Sequence, residues 1–451
     1  MKHELSLLSA AQAAEAIRSG RISSEALVKT CLDRIRHSEP DIGAWAHLVP
    51  EEALEQARAA DLIRKSGRAT GALHGVPVGL KDIVDTKDMP TEQGSQINAG
   101  RRPDADARLV ERLREAGAVI MGKTVTTEFA YLRPSSTRNP ANTLHTPGGS
   151  SSGSAAAVAA RHIPLAVGSQ TGGSVIRPAS FCGVFGFKPT RGTISRSGLL
   201  RTSATLDQVG VFANSLSDAA LLVDVIGGYD QSDPASFARP RAGLLKGAQA
   251  DVPVEPTIAW FDMPYHDRLA PDAQAGLETV ISTLGARVER FSARPELADL
   301  VNVHKTIYDY EITEIFAETV AANTGAVSQE LQDAIGRGQS ISLDQYQDAL
   351  AVKASAEQFF ARFFNDFDAI LSPAASGEAP LICEGHTGDA VYCTAWTLAG
   401  LPSLSLPLLV GENDLPVGVQ LIGAAEEDDR LLRTAAWIQR SLAGHQSENG
   451  E

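Results

Sequence analysis

The 451-residue chain has little cysteine: only Cys31, Cys182, Cys383 and Cys393. So few thiols in so long a chain do not make a disulfide framework. No run of four or more Lys/Arg occurs, and 40 basic residues face 55 acidic ones, a formal net charge of −15. Such a surface repels phosphate backbones and anionic membranes, which argues against a nucleic-acid partner or a charge-driven membrane partner. No 18-residue apolar run is present, and the start, Met1-Lys2-His3-Glu4, lacks the apolar core of a signal peptide. A cytoplasmic protein is the expectation. Neither G-x-x-x-x-G-K-[ST] nor a strand-linked G-x-G-x-x-G occurs, so nothing calls for a nucleotide, and no cofactor is expected.

What is present is a globular composition, 43% apolar and 21% charged, ample for a large core. It also holds a stretch from Thr146 to Ser180 with two glycine-serine turns, Gly148–Ser154 and Gly172–Ser174, joined by a short apolar segment. Glycine lets a backbone bend sharply and approach another group closely, at an entropic cost. Two such turns within about thirty residues fit backbone N–H groups aimed at a reacting group, the floor of a serine hydrolase.

Apolar spacing predicts helices over 9–19, 23–37 and 50–65, then a strand ending at Lys81, a helix over 104–116 and a strand over 118–123. The alternation continues with helix 153–161, strands 164–168 and 185–188, helix 215–227, strand 257–261, helix 272–284 and strand 287–291. Residues 295–365 read as helical throughout. Strand 368–372, helix 389–399, strands 403–409 and 416–423 and helix 428–442 then return to the sheet. This predicts an α/β fold in one domain: a central mixed β-sheet sandwiched between helices, with a helical insertion. The expected divisions are N-terminal helices to 66, a catalytic core over 67–230, a variable and largely helical segment over 231–365, and a C-terminal return over 366–442.

Several motifs compete for the chemistry. Gly149-Ser150-Ser151-Ser152-Gly153 satisfies the nucleophile-elbow pattern, which would make Ser151 a nucleophile. That elbow needs a strand immediately before it, whereas residues 138–147 read as loop. Cys383, His386 and Cys393 lack paired spacing and a fourth ligand, so buried structural cysteines account for them better than a metal. A lysine and two serines are left. Lys81 ends an apolar strand, where burial favours the neutral amine that could serve a serine as base. A strand-end lysine pointing into solvent is the other reading. Asp82 would oppose the neutral form if it lay nearby, but adjacent strand residues face opposite ways. Ser150 and Ser174 each follow a Gly-Gly pair and could equally be turn serines. Thr171-Gly-Gly-Ser174 differs in leading into a helix start, where consecutive N–H groups could form an oxyanion hole.

Three segments together carry a resemblance: Gly75-Val-Pro-Val-Gly-Leu-Lys81-Asp82, then Pro147-Gly-Gly-Ser-Ser-Ser-Gly-Ser-Ala-Ala-Ala, then Gln170-Thr-Gly-Gly-Ser174 with Phe181-Cys-Gly-Val-Phe-Gly-Phe-Lys-Pro-Thr190. In order and spacing the chain resembles the amidase signature family of Ser–cis-Ser–Lys amidohydrolases. The resemblance extends to Asp207-Gln-Val-Gly and Leu415-Pro-Val-Gly-Val-Gln-Leu-Ile-Gly, and is slight over 230–365. It implies Ser174 as the acyl-forming nucleophile, Ser150 as the serine entered through a cis peptide, and Lys81 as base acting through Ser150. It also implies an oxyanion hole from the N–H groups of Thr171, Gly172, Gly173 and Ser174, with Gly149, Ser151 and Arg177 near the substrate.

Two departures matter. Gln170 replaces the family's usual aspartate, and Arg177 stands three residues after Ser174 rather than two. With Ser152 in place of the usual glycine, this variant is similar to the malonamidase branch, where the arginine holds a substrate carboxylate. Arg177 could instead be a structural ion pair. The expected activity is hydrolysis of a small amide. The alternatives are an A-type subunit of a glutamine-dependent tRNA amidotransferase, which needs partner chains, another small-amide or urea-derivative hydrolase of the family, and a non-catalytic binder on the same scaffold. The oligomeric state is not fixed by the sequence, and a homodimer is compatible with it.

Overall fold

Apolar strands that alternate with amphipathic helices must be covered on both faces, and here they share one eleven-stranded sheet. The computed structural model describes residues 5–292 and 295–448; the Met1–Glu4 start lies outside them. The strands are β1 (Trp45–Leu48), β2 (Pro77–Lys81), β3 (Val119–Thr124), β4 (Leu165–Gln170), β5 (Phe185–Lys188), β6 (Gln208–Ala213), β7 (Ile258–Asp262), β8 (Val288–Ser292), β9 (Ala369–Pro373), β10 (Ser403–Val410) and β11 (Pro416–Ile422). Their spatial order is β1-β3-β2-β4-β6-β5-β10-β11-β9-β7-β8. The sheet is mixed: β2 runs parallel to β3 and β4, β7 runs parallel to β8 and β9, and the other pairs are antiparallel.

Every residue of β2, β3, β6 and β9 is buried, as strands covered on both faces require. One apolar cluster extends from Ala10 to Ile438 and joins the N-terminal helices to the C-terminal one. Serine caps fix several helix starts: Ser9 and Gln12 form a capping box, and Ser23 and Ser215 each accept an N–H three residues on. Two strands lie where the apolar pattern predicts none. β1 is four residues long and includes a histidine, and β6 carries a single internal glycine. Among the described residues, no helix is long and apolar enough to cross a membrane.

The segment 231–365 is mixed, with strands where 257–261 and 287–291 predict them. It supplies β7 and β8 at one sheet edge, and only Pro295–Ala322, Gln329–Gly338 and Leu343–Phe363 form the helical excursion between β8 and β9. That excursion packs back onto the other half of the chain. Phe129 and Tyr131 share a buried cluster with Ile312, Phe316, Leu331 and Ile335, and the Glu128 carboxylate accepts the Ser328 N–H at 2.9 Å.

The register brings the two candidate regions together. Leu80 of β2 pairs with Val167 of β4, so the ends of these strands, Lys81 and Ser169–Gln170, lie side by side.

Candidate active site

The pleat of β2 sends Val78 and Leu80 to one face and Gly79 and Lys81 to the other. Lys81 is fully buried. Burial disfavours the ammonium and brings its pKa down to about 7, against the opposing pull of the Asp207 charge. Its Nζ donates to Ser150 Oγ at 2.7 Å and to Ser169 Oγ at 2.8 Å. The solvent-facing reading of Lys81 therefore fails. Asp82 turns elsewhere, accepting the Glu92 N–H at 3.1 Å in the neighbourhood of Lys123. Ser169 carries no motif and nothing local in the sequence marks it; its place beside Lys81 follows from strand register alone.

Ser150 follows a cis peptide, Gly149–Ser150, at the turn before the helix Ser152–Ala159. Gly148 has φ +81°, and a Cβ there would come within 3.1 Å of the Pro178 backbone, so glycine is required. The Ser152 hydroxyl donates to the Gly148 carbonyl at 2.8 Å and closes this turn.

Ser151 does not meet the expectation placed on its side chain. Its hydroxyl is buried against β4, donating to the Ser169 carbonyl at 3.1 Å and accepting the Ser169 N–H at 3.2 Å. Loop lies immediately before this turn, as the elbow argument required. Serine here completes a strand's hydrogen bonding.

The second turn joins β4 to the short helix Ile176–Cys182. Gln170 Oε1 accepts the N–H groups of Val175 and Ile176 at 2.8 and 3.0 Å, while its Nε2 donates to Thr397 Oγ1 at 2.9 Å. A carboxylate at 170 could accept but not donate, so the amide changes the wiring of this turn. Thr171 Oγ1 donates to Asp207 at 2.6 Å, and Asp207 also accepts the N–H groups of Thr202 and Ser203. Among the described residues, nothing accepts from the N–H groups of Gly172, Gly173 or Ser174. Preorganised donors of this kind can meet charge that develops on a carbonyl oxygen. Ser174 is half-buried, and its hydroxyl has no hydrogen-bond partner among the described residues. Thus Lys81 and Ser150 are joined directly, whereas a Ser150–Ser174 hydrogen bond is not among the contacts formed.

Arg177 is buried, and its Nη2 donates to the Gly149 carbonyl at 2.7 Å and to Thr387 Oγ1 at 3.2 Å. No described carboxylate pairs with it, and its Nε and Nη1 are buried without a partner. The ion-pair alternative for Arg177 is therefore not what the fold builds. Cys383, His386 and Cys393 do not converge either: Cys393 is buried, Cys383 is exposed, and no metal-ligating cluster occurs among the described residues. The structural reading holds for Cys393; exposure removes it for Cys383.

Two further groups touch the turn from afar. His304, on the helix Pro295–Ala322, places Nε2 2.7 Å from the Thr171 carbonyl oxygen. Thr397, on the helix Val391–Leu398, places Oγ1 2.7 Å from the Gly172 carbonyl oxygen. Neither lies in a motif, and no local signal could have found them.

The family model described as Amidase matches residues 26–432. The A-type subunit of the glutamyl-tRNA(Gln) amidotransferase from Chloroflexus aggregans is 34% identical, with 98% of each chain covered. Among solved structures, the peptide amidase of Stenotrophomonas maltophilia superposes with a TM-score of 0.82 at 29% identity, covering 96% of this chain and 97% of the other. A 6-aminohexanoate cyclic dimer hydrolase in complex with substrate gives 0.84 at 27% identity, with 96% and 97% covered.

Proposed function

The chain belongs to the amidase family, and on that premise we propose that it hydrolyses a small, carboxylate-bearing amide through an acyl-Ser174 intermediate. The observation that carries this reading is the 2.7 Å bond between a buried, easily deprotonated Lys81 and Ser150. A neutral amine there can take the Ser150 proton as Ser150 Oγ takes the proton of Ser174. Ser174 Oγ then bonds to the amide carbon, and the π pair moves onto oxygen, where the N–H groups of Thr171, Gly172, Gly173 and Ser174 receive it. Collapse breaks the C–N bond, with the proton returning from Lys81 through Ser150 to the departing nitrogen. Water repeats the attack on the acyl-Ser174 ester, releasing the acid and restoring the hydroxyl. The balance is R-CO-NH-R′ plus H₂O to R-COOH plus R′-NH₂. Catalytic hydrogen bonds often tighten only in the substrate complex, which is where the Ser150–Ser174 link would form.

The carboxylate preference rests on Arg177. A buried guanidinium with two unpartnered nitrogens is costly, and an anionic substrate group would satisfy it. The Gly149 carbonyl orients the arginine rather than the substrate. The test is mass spectrometry of the purified chain mixed with a panel of small amides. A mass increment on Ser174, absent in Ser174→Ala, is expected; hydrolysis that persists in Ser174→Ala overturns the assignment.

A second reading is favoured by the similarity to A-type amidotransferase subunits: a component that works only within a complex. Amide hydrolysis by the chain alone rejects it. A cytoplasmic homodimer completes the proposal, tested by fractionation and by light scattering of the purified chain.

A further inference from the structure

A trans peptide is planar, and its C=O and N–H point in opposite directions, so holding one fixes the other. Two peptide planes in the turn after β4 are held in this way by residues distant in sequence. The Thr171 carbonyl, in the plane that carries the Gly172 N–H, meets His304 Nε2 at 2.7 Å. The Gly172 carbonyl, in the plane that carries the Gly173 N–H, meets Thr397 Oγ1 at 2.7 Å. A carbonyl has no proton to give, so Nε2 of His304 and the hydroxyl of Thr397 must be the donors. Gln170 Nε2 donates into the same hydroxyl at 2.9 Å. The single Thr397 proton is thus left to the two carbonyls within reach, Gly172 at 2.7 Å and Cys393, one helical turn back, at 2.9 Å, of which the nearer is Gly172.

We propose that His304 and Thr397 are positioning residues for the oxyanion hole: each grips one carbonyl so that the following glycine N–H is presented to the reacting group. The inference rests on the acyl-Ser174 reading and deepens it. It also gives the helical excursion a part in holding the site, since His304 lies on its first helix, Pro295–Ala322. The ring sits close over the turn, with His304 Cε1 3.8 Å from where a Gly172 Cβ would stand. A Gly173 Cβ would stand 3.2 Å from Cys393 Cβ, so the loop also lies close against the helix that carries Thr397. Burial also favours the neutral imidazole of His304, whose single ring proton then sits on Nε2, facing the Thr171 carbonyl.

The test uses the full chain and a fluorophosphonate probe, whose adduct places an oxygen where the oxyanion forms. The inactivation rate constant and the apparent affinity are measured separately, with the label mapped by mass spectrometry. His304→Phe and Thr397→Val keep the shape and remove the donor. Each is expected to slow labelling of Ser174 by about tenfold or more, since loss of an oxyanion donor costs up to about 10²–10³-fold, with apparent affinity unchanged. His304→Gln and Thr397→Ser retain a donor and are expected to recover most of the rate. Labelling at the wild-type rate in both donor-less variants overturns the proposal, as do donor-bearing variants that are equally slow. Should His304→Phe fail to fold, the Thr397→Val and Thr397→Ser pair decides on its own. If the wild-type chain itself is not labelled at Ser174, the acyl-enzyme reading falls and this one with it; normal wild-type labelling with unaffected variants removes only this one.

Discussion

The Nη2 of Arg177 donates to the carbonyl of Gly149 at 2.7 Å, tying the guanidinium to the peptide that leads into Ser150. The same arginine keeps two buried nitrogens, Nε and Nη1, unpartnered.

Arg177→Leu should therefore change preference more than turnover. The ratio of kcat/KM for a dicarboxylic acid monoamide over that for its neutral counterpart is expected to fall by roughly 10²-fold, in line with loss of a buried charge-assisted contact. Arg177→Lys is expected to restore little, because a point charge does not reproduce the planar fork that also holds Gly149. An unchanged ratio removes the carboxylate assignment.

Acylation of Ser174 should rise with pH through about 7, where burial sets the Lys81 pKa. The sign follows from the role: the base must be neutral, and protonation below that point removes it. A stopped-time labelling series from pH 5 to 9 checks this. Lys81→Met is expected to flatten the profile at a rate lower by at least about 10²-fold, as for loss of a general base.

Ser151→Ala should lower stability while leaving Ser174 reactive. The hydroxyl serves both polar groups of Ser169, and leaving them unsatisfied in a buried place costs about 1–3 kcal/mol. A shift of the urea midpoint with retained labelling is the expected result; loss of labelling in a folded variant would return Ser151 to the chemistry.

The buried pair Arg196–Asp233, 2.7 Å apart, should matter for stability in acid. Burial alone would raise the Asp233 carboxyl, but the Arg196 side chain and backbone N–H, with the Ala235 N–H, outweigh it and hold the pKa at about 2. The group's folded pKa lies below its unfolded one, so its contribution is present above about pH 4 and is lost as the pH falls toward 2. Asp233→Ala strands the guanidinium and is expected to cost about 3–5 kcal/mol near neutral pH, read by denaturant unfolding.

Much of the fold was legible in the sequence because its signals are local. The helix over Pro50–Lys65 matches its apolar spacing and proline-acid start, and β2 was marked by an apolar run, Gly79 included, ending at Lys81. Glycine turns announced the loops around Ser150 and Ser174 for the same reason: a backbone that must bend sharply shows it in its own residues. β1 escaped because four residues are too few to show a period, whereas β6 carries a single internal glycine just as β2 and β4 do, so its glycine does not account for the miss.

The order of residues alone thus sets the alternation of elements, the two glycine turns and the residue types able to carry acyl transfer. Packing of the whole chain chose which of them meet. Ser169 reaches Lys81 across 88 residues, His304 reaches Thr171 across 133, and Thr397 reaches Gly172 across 225. It also turned Ser151 into β4 and left Arg177 without a carboxylate. Propensity and periodicity act over a few residues, whereas a hydrogen-bond partner is fixed by where whole helices and strands come to rest.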